Sequence, residues 1–206
     1  MPTDQSAMNN GHGPGHAPAA GAPILRTSWV SRSLPAFVRG YAAGMTGSDE
    51  AADSLDTLGG LLTEQGGGDK APAIQINMME LSALYALTIK DQPKAIEWMQ
   101  KATALEEKMS PPSGPPSLIK PTHELYGEIL LRAGKPAEAA EQFKVALQRQ
   151  PNRARSLLGA ARAAAQSGNQ SAAQSAYAAL IDQCKQADSG LSELREARDY
   201  LKQAKR

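Results

Sequence analysis

A 34-residue echo near the C-terminus constrains this chain more than any other feature of its sequence. The segment GKPAEAAEQFKVALQRQP, which starts at Gly134, is matched 34 residues later by GNQSAAQSAYAALIDQCK. Small residues recur at the same offset, as in Ala139 and Ala173, and so do large ones, as in Phe143 and Tyr177. A period of this length is typical of stacked helix-turn-helix units, which bury their apolar faces against neighbouring units. The echo therefore predicts a helical repeat protein, a class that binds partners far more often than it catalyses reactions.

The amino-acid composition agrees with a helical interior. Hydrophobic residues make up 41% of the 206 residues but aromatic residues only 4%, so Ala, Leu and Met must form most of the core. Such residues favour helices over sheet. Lys and Arg number 22 against 21 acidic residues, a net charge of +1, which leaves no basic surplus for nucleic-acid binding. Cys184 is the single cysteine, so it excludes an internal disulfide or a multi-cysteine metal site and is expected to pack in the core.

The sequence contains no obvious membrane or export signal. No segment approaches the roughly 18 consecutive apolar residues of a membrane-spanning helix, and the start MPTDQSAMNNGHGPGH lacks a charged region followed by an apolar stretch. The default expectation is therefore a soluble, cytoplasmic protein without a transmembrane segment.

Breaker residues divide the chain into a tail and a helical region. Residues 1–23 are rich in Gly, Pro and His and predict a disordered tail, whereas residues 24–206 predict one helical-repeat domain. Pro136 is expected in the first turn of a helix, while Gly134 and Gly168 are expected just after helices. A proline-rich insertion covers residues 110–120. The nine predicted helices span 34–45, 49–64, 72–89, 93–108, 121–133, 136–149, 152–167, 170–185 and 190–204.

The repeat resembles the tetratricopeptide repeat, whose pattern is W-x2-L-G-x2-Y in helix A, then A-x3-F and a closing Pro in helix B. Only the first large position, His123, departs badly from this pattern. The small residues are needed where helices A and B cross closely, so a bulky residue at Gly127 or Ala139 should force the helices apart. The matching positions are His123, Tyr126, Gly127, Leu130, Ala139, Phe143, Ala146 and Pro151.

Further units with the same register lie on both sides. The next repeat keeps the size pattern but fills much of helix A with alanine, and the preceding one is offset by 44 residues because ten extra residues fall in the proline-rich insertion. The predicted units are 34–65, 72–108, 120–150 and 152–185, followed by a capping helix at 190–204. The first unit is the weaker match, and its glycines, among them Gly40, Gly47 and Gly59, should make this helix pair the least stable of the set.

From about Phe37 to Leu201 the chain also resembles the C-terminal part of a bacterial family of longer tetratricopeptide proteins of unknown biochemical role. Four strings carry this resemblance: AIEWMQKATALEEK, PPSGPPSLIKPTHELYGEILL, PNRARSLLGAARAA and the region around Cys184. The resemblance implies an all-α, right-handed solenoid of about four helix pairs with a C-terminal cap, and an interaction role. It supplies no catalytic residue and no cofactor, and the chain would be an abbreviated member.

In this repeat family helix A lines the concave surface, so its exposed positions are candidate ligand contacts. Together they predict a groove that is acidic at one end and basic at the other, which would orient a peptide of complementary charge. A Lys/Asn clamp for a C-terminal carboxylate is absent, because those positions carry residues such as Glu80, Leu158 and Gly159. The predicted partner-binding residues are Asn77, Glu80, Leu84, Glu124, Glu128, Arg132, Arg155 and Arg162.

Other chemical interpretations are weaker. A zinc-protease motif beginning at His123 fails because position 127, where the second histidine is needed, is Gly. His12 and His16 are separated by glycine and proline, which prevents a preformed helical metal site. Residues 24–41 could rest on an anionic membrane surface, but packing of Phe37 inside the first helix pair, with Trp29 and Val30 covering its open end, is favoured. The proline-rich insertion could be a polyproline ligand, but its position between two units favours a spacer.

The sequence therefore predicts a non-enzymatic module, without metal or cofactor, that binds a protein or peptide on its concave face. The alternative is a structural subunit, or a C-terminal segment of a larger assembly protein, that self-associates through its N-terminal repeat and has no independent ligand groove. The sequence leaves the identity of the partner open.

Overall fold

The computed structural model describes residues 29–48, 50–67, 71–110, 118–188 and 190–204. Within these ranges every regular element is an α-helix, and all nine predicted helices are present. The predicted tail at 1–23, including His12 and His16, most of the proline-rich insertion and the side chains of Trp29 and Val30 lie outside the described part. The helices are α1 Trp29–Thr46, α2 Glu50–Glu64, α3 Pro72–Thr88, α4 Gln92–Glu106, α5 Thr122–Arg132, α6 Pro136–Arg149, α7 Ala154–Gln166, α8 Gln170–Gln183 and α9 Ser192–Gln203.

Helix α1 differs most from its predicted bounds. The prediction began the helix at residue 34, next to Pro35, whereas the helix begins at Trp29 and contains Pro35. Inside a helix, a proline loses its own hydrogen bond and its ring also crowds the carbonyl four residues earlier, at a cost of about 3 kcal/mol. The lost bond falls in the second turn of α1, and the helix continues through it despite this cost.

The helices stack as four pairs. Helices α1 and α2, α3 and α4, α5 and α6, and α7 and α8 pack against each other within pairs, and α9 packs on α8. Each new pair is held mainly by its first helix: α3 contacts both α1 and α2, α5 contacts α3 and α4, and α7 contacts α5 and α6. This sequential packing is that of a helical solenoid, with α1, α3, α5 and α7 in one layer and the even-numbered helices up to α8 in the other.

The same turn joins the two helices of every pair. Gly47, Lys90, Gly134 and Gly168 occupy the left-handed region at φ of 78°, 63°, 70° and 80°. In each turn the following amide donates to the carbonyl five residues before it, over 2.8 to 2.9 Å, as from Lys135 to Leu130. These bonds satisfy carbonyls that a helix end leaves unpaired. Four turns of one geometry therefore mark four units, and only Lys90 holds this position without being glycine.

A single aromatic ring joins the third and fourth pairs. Phe143 on α6 is fully buried between Gly127 on α5 and Gly159 on α7. A Cβ at Gly127 would lie 2.7 Å from the ring, and one at Gly159 only 2.2 Å, which is far inside van der Waals contact. The predicted need for a small residue at Gly127 thus has a direct geometric cause, while the second glycine went unrecognised in the sequence.

Helix α9 covers the end of the stack. Leu194 and Ala197 are buried against α7 and α8. Tyr177 stacks on Tyr200 with ring centroids 4.8 Å apart, and its hydroxyl donates to Glu196 Oε1 over 2.7 Å. The cap therefore uses Tyr177, the equivalent of Phe143, to close the last pair. Cys184 is half-buried and packs beside the same cluster.

Adding a methyl group beneath the Phe143 ring should weaken the stack. We expect Gly159→Ala to lower the free energy of unfolding by about 1–3 kcal/mol, because the ring is confined from both sides and cannot move away. Gly127→Ala should cost less, since its contact is longer. Urea unfolding measures both. The matched control is Gly60→Ala on α2, which meets no atom within 4 Å and should stabilise by about 0.5–1 kcal/mol. Equal effects at the two buried glycines and Gly60 would contradict this packing.

The left-handed lysine offers a stabilising change. Lys90→Gly should raise the free energy of unfolding by about 0.5–1 kcal/mol, because a residue with a Cβ is strained at φ of 63°. Lys94→Gly removes a similar exposed lysine from inside α4 and should instead cost up to about 1 kcal/mol through helix propensity. Thermal unfolding of the two variants should therefore shift in opposite directions; a shared loss would argue against strain at Lys90.

Candidate binding groove

Helices α1, α5 and α7 surround an open groove with two adjoining parts. The first part, here called the basic end, has a volume of about 380 Å³, and the second, here called the apolar end, about 330 Å³. Arg155 lines both parts, so the two cavities lie side by side at this residue. The basic end is lined by Met45, Glu128, Leu131, Arg132, Arg155, Leu158, Gly159, Arg162 and Gln166, and the apolar end by Phe37, Val38, Tyr41, Ile119, Lys120, Glu124, Arg153 and Arg155.

Four of the predicted partner-binding residues come together in the basic end. Glu128 and Arg132 extend from α5, while Arg155 and Arg162 extend from α7. The three arginines are exposed and Glu128 is partly so. These residues can reach a ligand in the groove without rearrangement of the helices, although their role in binding stays a prediction.

The other four predicted residues are buried, which corrects their expected place on an open surface. Asn77, Glu80, Leu84 and Glu124 have almost no exposed area. The general repeat register assumes that the inner face of α3 is open, but α1 packs closely across it. A Cβ at Gly44 on α1 would lie 2.6 Å from Leu84 Cβ. This close approach, which glycine permits, covers the face that the register left to a ligand.

Glu124 is held in a compact ion network at the start of α5. Its Oε1 accepts from Lys120 Nζ at 2.9 Å, and its Oε2 accepts from Arg153 Nε at 2.7 Å and from Ser156 Oγ at 2.6 Å. Burial disfavours the charged carboxylate, but Lys120, Arg153 and Ser156 outweigh this and lower the pKa of Glu124. The network joins α5 to α7. It also occupies the Glu124 carboxylate, which was predicted to bind a ligand.

Lys120 also neutralises Glu128, so the predicted acidic end of the groove is not free. Lys120 Nζ lies 2.7 Å from Glu128 Oε1, and Arg155 Nε lies 3.4 Å from the same oxygen. Burial alone would lower the pKa of Lys120, but Glu128 and Glu124 raise it above its ordinary value. In place of the expected gradient from acidic to basic, the groove has a wall of ion pairs in which Lys120, Arg153 and Arg155 neutralise Glu124 and Glu128.

Positive charge is left over at the basic end. Arg162 is paired with Glu196 of the capping helix, with Nη2 2.6 Å from Oε2. Arg132 forms no ion pair with any carboxylate in the described ranges; its Nη2 lies 3.3 Å from the Met45 sulfur. Arg155 shares Glu128 with Lys120, which is the closer partner. Arg132 is therefore the arginine best placed to gain a carboxylate from a ligand.

Behind this wall lies a buried carboxyl group without a hydrogen bond. Both oxygens of Glu80 and Oδ1 of Asn77, one turn away on α3, have no hydrogen-bond partner in the described part of the chain. Burial raises the pKa of Glu80 well above its ordinary value, and the neighbouring carboxylates of Glu106, Glu124 and Glu128 raise it further. Glu80 is consequently favoured in its neutral form. No sequence signal distinguishes Glu80 from a glutamate on an exposed helix face.

The remaining polar groups tie helices together. His123 is buried, with Nδ1 2.9 Å from Gln142 Oε1 on α6 and Nε2 3.3 Å from Glu107 Oε1, which immediately follows α4. Among the described residues no group of His, Cys, Asp and Glu side chains could hold a metal ion. None of the helices in those same ranges has the length and apolar content needed to cross a membrane.

No protein-family model matches this chain, and a search of curated proteins finds no match. The class of protein therefore follows from the arrangement of the helices and not from a relative. The described residues form an all-α helical solenoid of four helix pairs with a closing helix and a charged groove on the inner layer.

Replacing the buried carboxyl should change how stability depends on pH. A group whose folded-state pKa is raised contributes stability that is present below its unfolded pKa, near 4.5, and is lost as the pH rises towards the folded value. We therefore expect Glu80→Gln to gain stability relative to the parent chain as the pH rises, by at most about 1.4 kcal/mol per pH unit. Urea unfolding across a pH series measures this difference.

Glu124→Gln provides the opposing control. Because the folded-state pKa of Glu124 is lowered, its carboxylate contributes stability above its unfolded pKa that is lost as the pH falls. The cost of this variant should thus be greatest near neutral pH and shrink in acid. If the two variants showed parallel pH profiles, the assigned charge states of Glu80 and Glu124 would be wrong.

Proposed function

We propose that this chain is a non-enzymatic interaction module that binds an extended peptide or protein segment in the groove between α1, α5 and α7. The observation that carries the proposal is the groove itself. It crosses three inner helices, joins two cavities at Arg155 and presents exposed arginines to solvent. A surface of this kind suits a ligand longer than a single side chain.

Two contacts beneath the groove hold its walls in place before a ligand binds. Gly159 forms part of the floor directly over the Phe143 ring, and Ser156 is tied to Glu124 on α5. Binding to a preformed surface loses less conformational entropy than binding to a mobile one. The buried contacts beneath the groove therefore favour recognition over a purely architectural role.

The proposal includes assignment of the helix pairs to the tetratricopeptide type. Its support is the repeat pattern of the sequence together with the common left-handed turn and the placement of Phe143 against two small residues of neighbouring inner helices. In that repeat type the inner helices carry the ligand surface. The groove of this chain lies on the corresponding helices.

The alternative, self-association or docking of further repeats, would require a suitable surface on the first helix pair, α1 and α2. Docking of further repeats or of a second copy needs an apolar outer face; α1 does expose Leu34, but the cavity between α1 and α2 is lined by Arg39, Glu50, Asp53, Ser54 and Thr57. The half-exposed Val38 of α1 lines the groove instead. These positions favour ligand binding over end-to-end assembly, and sedimentation should give a monomer at micromolar concentration.

Selection from a random peptide library displayed on phage tests the proposal without assuming a ligand. The intact chain is immobilised, and enriched peptides are measured by fluorescence anisotropy. Gln166 is exposed at the basic end, so Gln166→Trp adds bulk there without changing charge. We expect this variant to weaken enriched peptides by about tenfold or more, because it occupies ligand volume.

The matched control is Gln148→Trp, an identical change on the exposed surface of the outer helix α6. It should leave peptide affinity unchanged. Equal loss at both positions, no loss at either, or failure to enrich any peptide would overturn binding in the groove. A stable dimer in sedimentation whose formation is blocked by substitutions in α1 would instead support the assembly alternative.

A further inference from the structure

The basic end of the groove has more positive than negative charge. Glu128 is shared by Lys120 and Arg155, and Arg162 is matched by Glu196. Within the described residues, the one side-chain hydrogen bond of Arg132 goes to the Met45 sulfur. A guanidinium group prefers the two oxygens of a carboxylate and binds them with two parallel hydrogen bonds. The local charge is thus complementary to an anionic ligand, although the whole chain carries a net charge of only +1.

The apolar end has exposed aliphatic surface instead. Val38 on α1 is 50% exposed and Ile119, just before α5, is 45% exposed, and both line the same cavity beside the Tyr41 ring. Large apolar side chains grouped in one concave site are unusual on a free surface and mark a place where a ligand can bury apolar groups. An anion alone would leave this surface uncovered.

The two kinds of surface meet at Arg155. Its side chain lines both cavities, so an extended ligand that passes Arg155 would reach both of them. A simple polyanion such as nucleic acid would leave the exposed Val38 and Ile119 uncovered, and the net charge of +1 gives the chain no general excess of basic residues. A polypeptide can place carboxylates and an apolar side chain on neighbouring residues.

We infer that the groove recognises an acidic peptide segment that carries an aliphatic or aromatic side chain next to its acidic residues. This inference rests on the proposed function and adds the chemistry of the ligand to it. Carboxylates of the peptide bind at Arg132 and Arg155, and its apolar side chain is buried against Val38, Tyr41 and Ile119. A lysine-rich segment is rejected, because it would bring like charge to Arg132.

Defined peptides test the composition directly. The probe is a short fluorescein-labelled synthetic peptide of Asp and Glu with one central Leu-Phe pair. Three peptides of the same length accompany it: one with Lys in place of every acidic residue, one with Ser in place of the apolar pair, and one with both changes. A single-stranded oligonucleotide of equal charge is the fourth comparison. The acidic peptide with its apolar pair should bind tightest, and its affinity should fall with added salt.

Two pairs of variants place each half of the ligand. Arg132→Gln should weaken the acidic probe by about tenfold, whereas Lys144→Gln, which removes an exposed cation from the outer helix α6, should have no effect. Ile119→Ser should weaken the probe by about fivefold, whereas Ile89→Ser, the same change at another exposed isoleucine after α3, should not. Thermal unfolding confirms that each variant is folded.

The outcomes separate this inference from the proposed function. Gln166→Trp could weaken the selected peptides while the affinities of the synthetic peptides do not depend on their charge or on the apolar pair. In that case the groove binds peptides, but the assigned ligand chemistry is wrong. Equal binding of the acidic peptide and the oligonucleotide, or equal effects of Arg132→Gln and Lys144→Gln, would also overturn the inference. Loss that tracks Arg132 and Ile119 separately, each acting on its own half of the probe, would support it.

Discussion

The contact on which the rest of the stack depends is the insertion of the Phe143 ring between Gly127 and Gly159. The ring belongs to an outer helix, but the two glycines lie on successive inner helices, so one side chain sets how closely α5 and α7 approach. Close-packed interiors tolerate neither a gap nor an extra methyl group at such a point. Because Gly159 is also part of the groove floor, the same contact that joins two pairs shapes the surface available to a ligand.

A second constraint is electrostatic. Lys120 lies just before α5 and is buried with Glu124 and near Glu128, while Arg153 reaches Glu124 from just before α7. Removing charges from water is costly, and here the cost is offset by several short hydrogen bonds to the same carboxylates. The network links the inner helices α5 and α7, and it pairs the acidic groups of the groove, Glu124 and Glu128, with basic side chains. The arginines that remain exposed therefore define its chemistry, and behind them lies the buried carboxyl of Glu80, whose pKa is raised by burial.

Much of the fold could be predicted from local patterns. Eight of the helices lie within two residues of their predicted bounds, because breaker residues and apolar periodicity act over a few residues. The exception, α1, begins five residues earlier than predicted and continues through Pro35, whereas the prediction had placed this proline at the start of the helix. The left-handed conformation of Lys90 could not be predicted from its residue type, because lysine does not favour positive φ. At Gly134 the glycine itself indicates such a turn.

The sequence by itself determined the helices, their pairing into repeats and the need for small residues at positions such as Gly127, because these depend on periodicity and residue size. It also identified the arginines of the groove. Tertiary structure alone decided which helix A residues remain accessible: α1 packs through Gly44 onto Leu84 and covers the inner face of α3. It likewise paired Glu124 and Glu128 with Lys120. Exposure and ion pairing depend on distances between helices far apart in the chain, and no single-helix register contains that information.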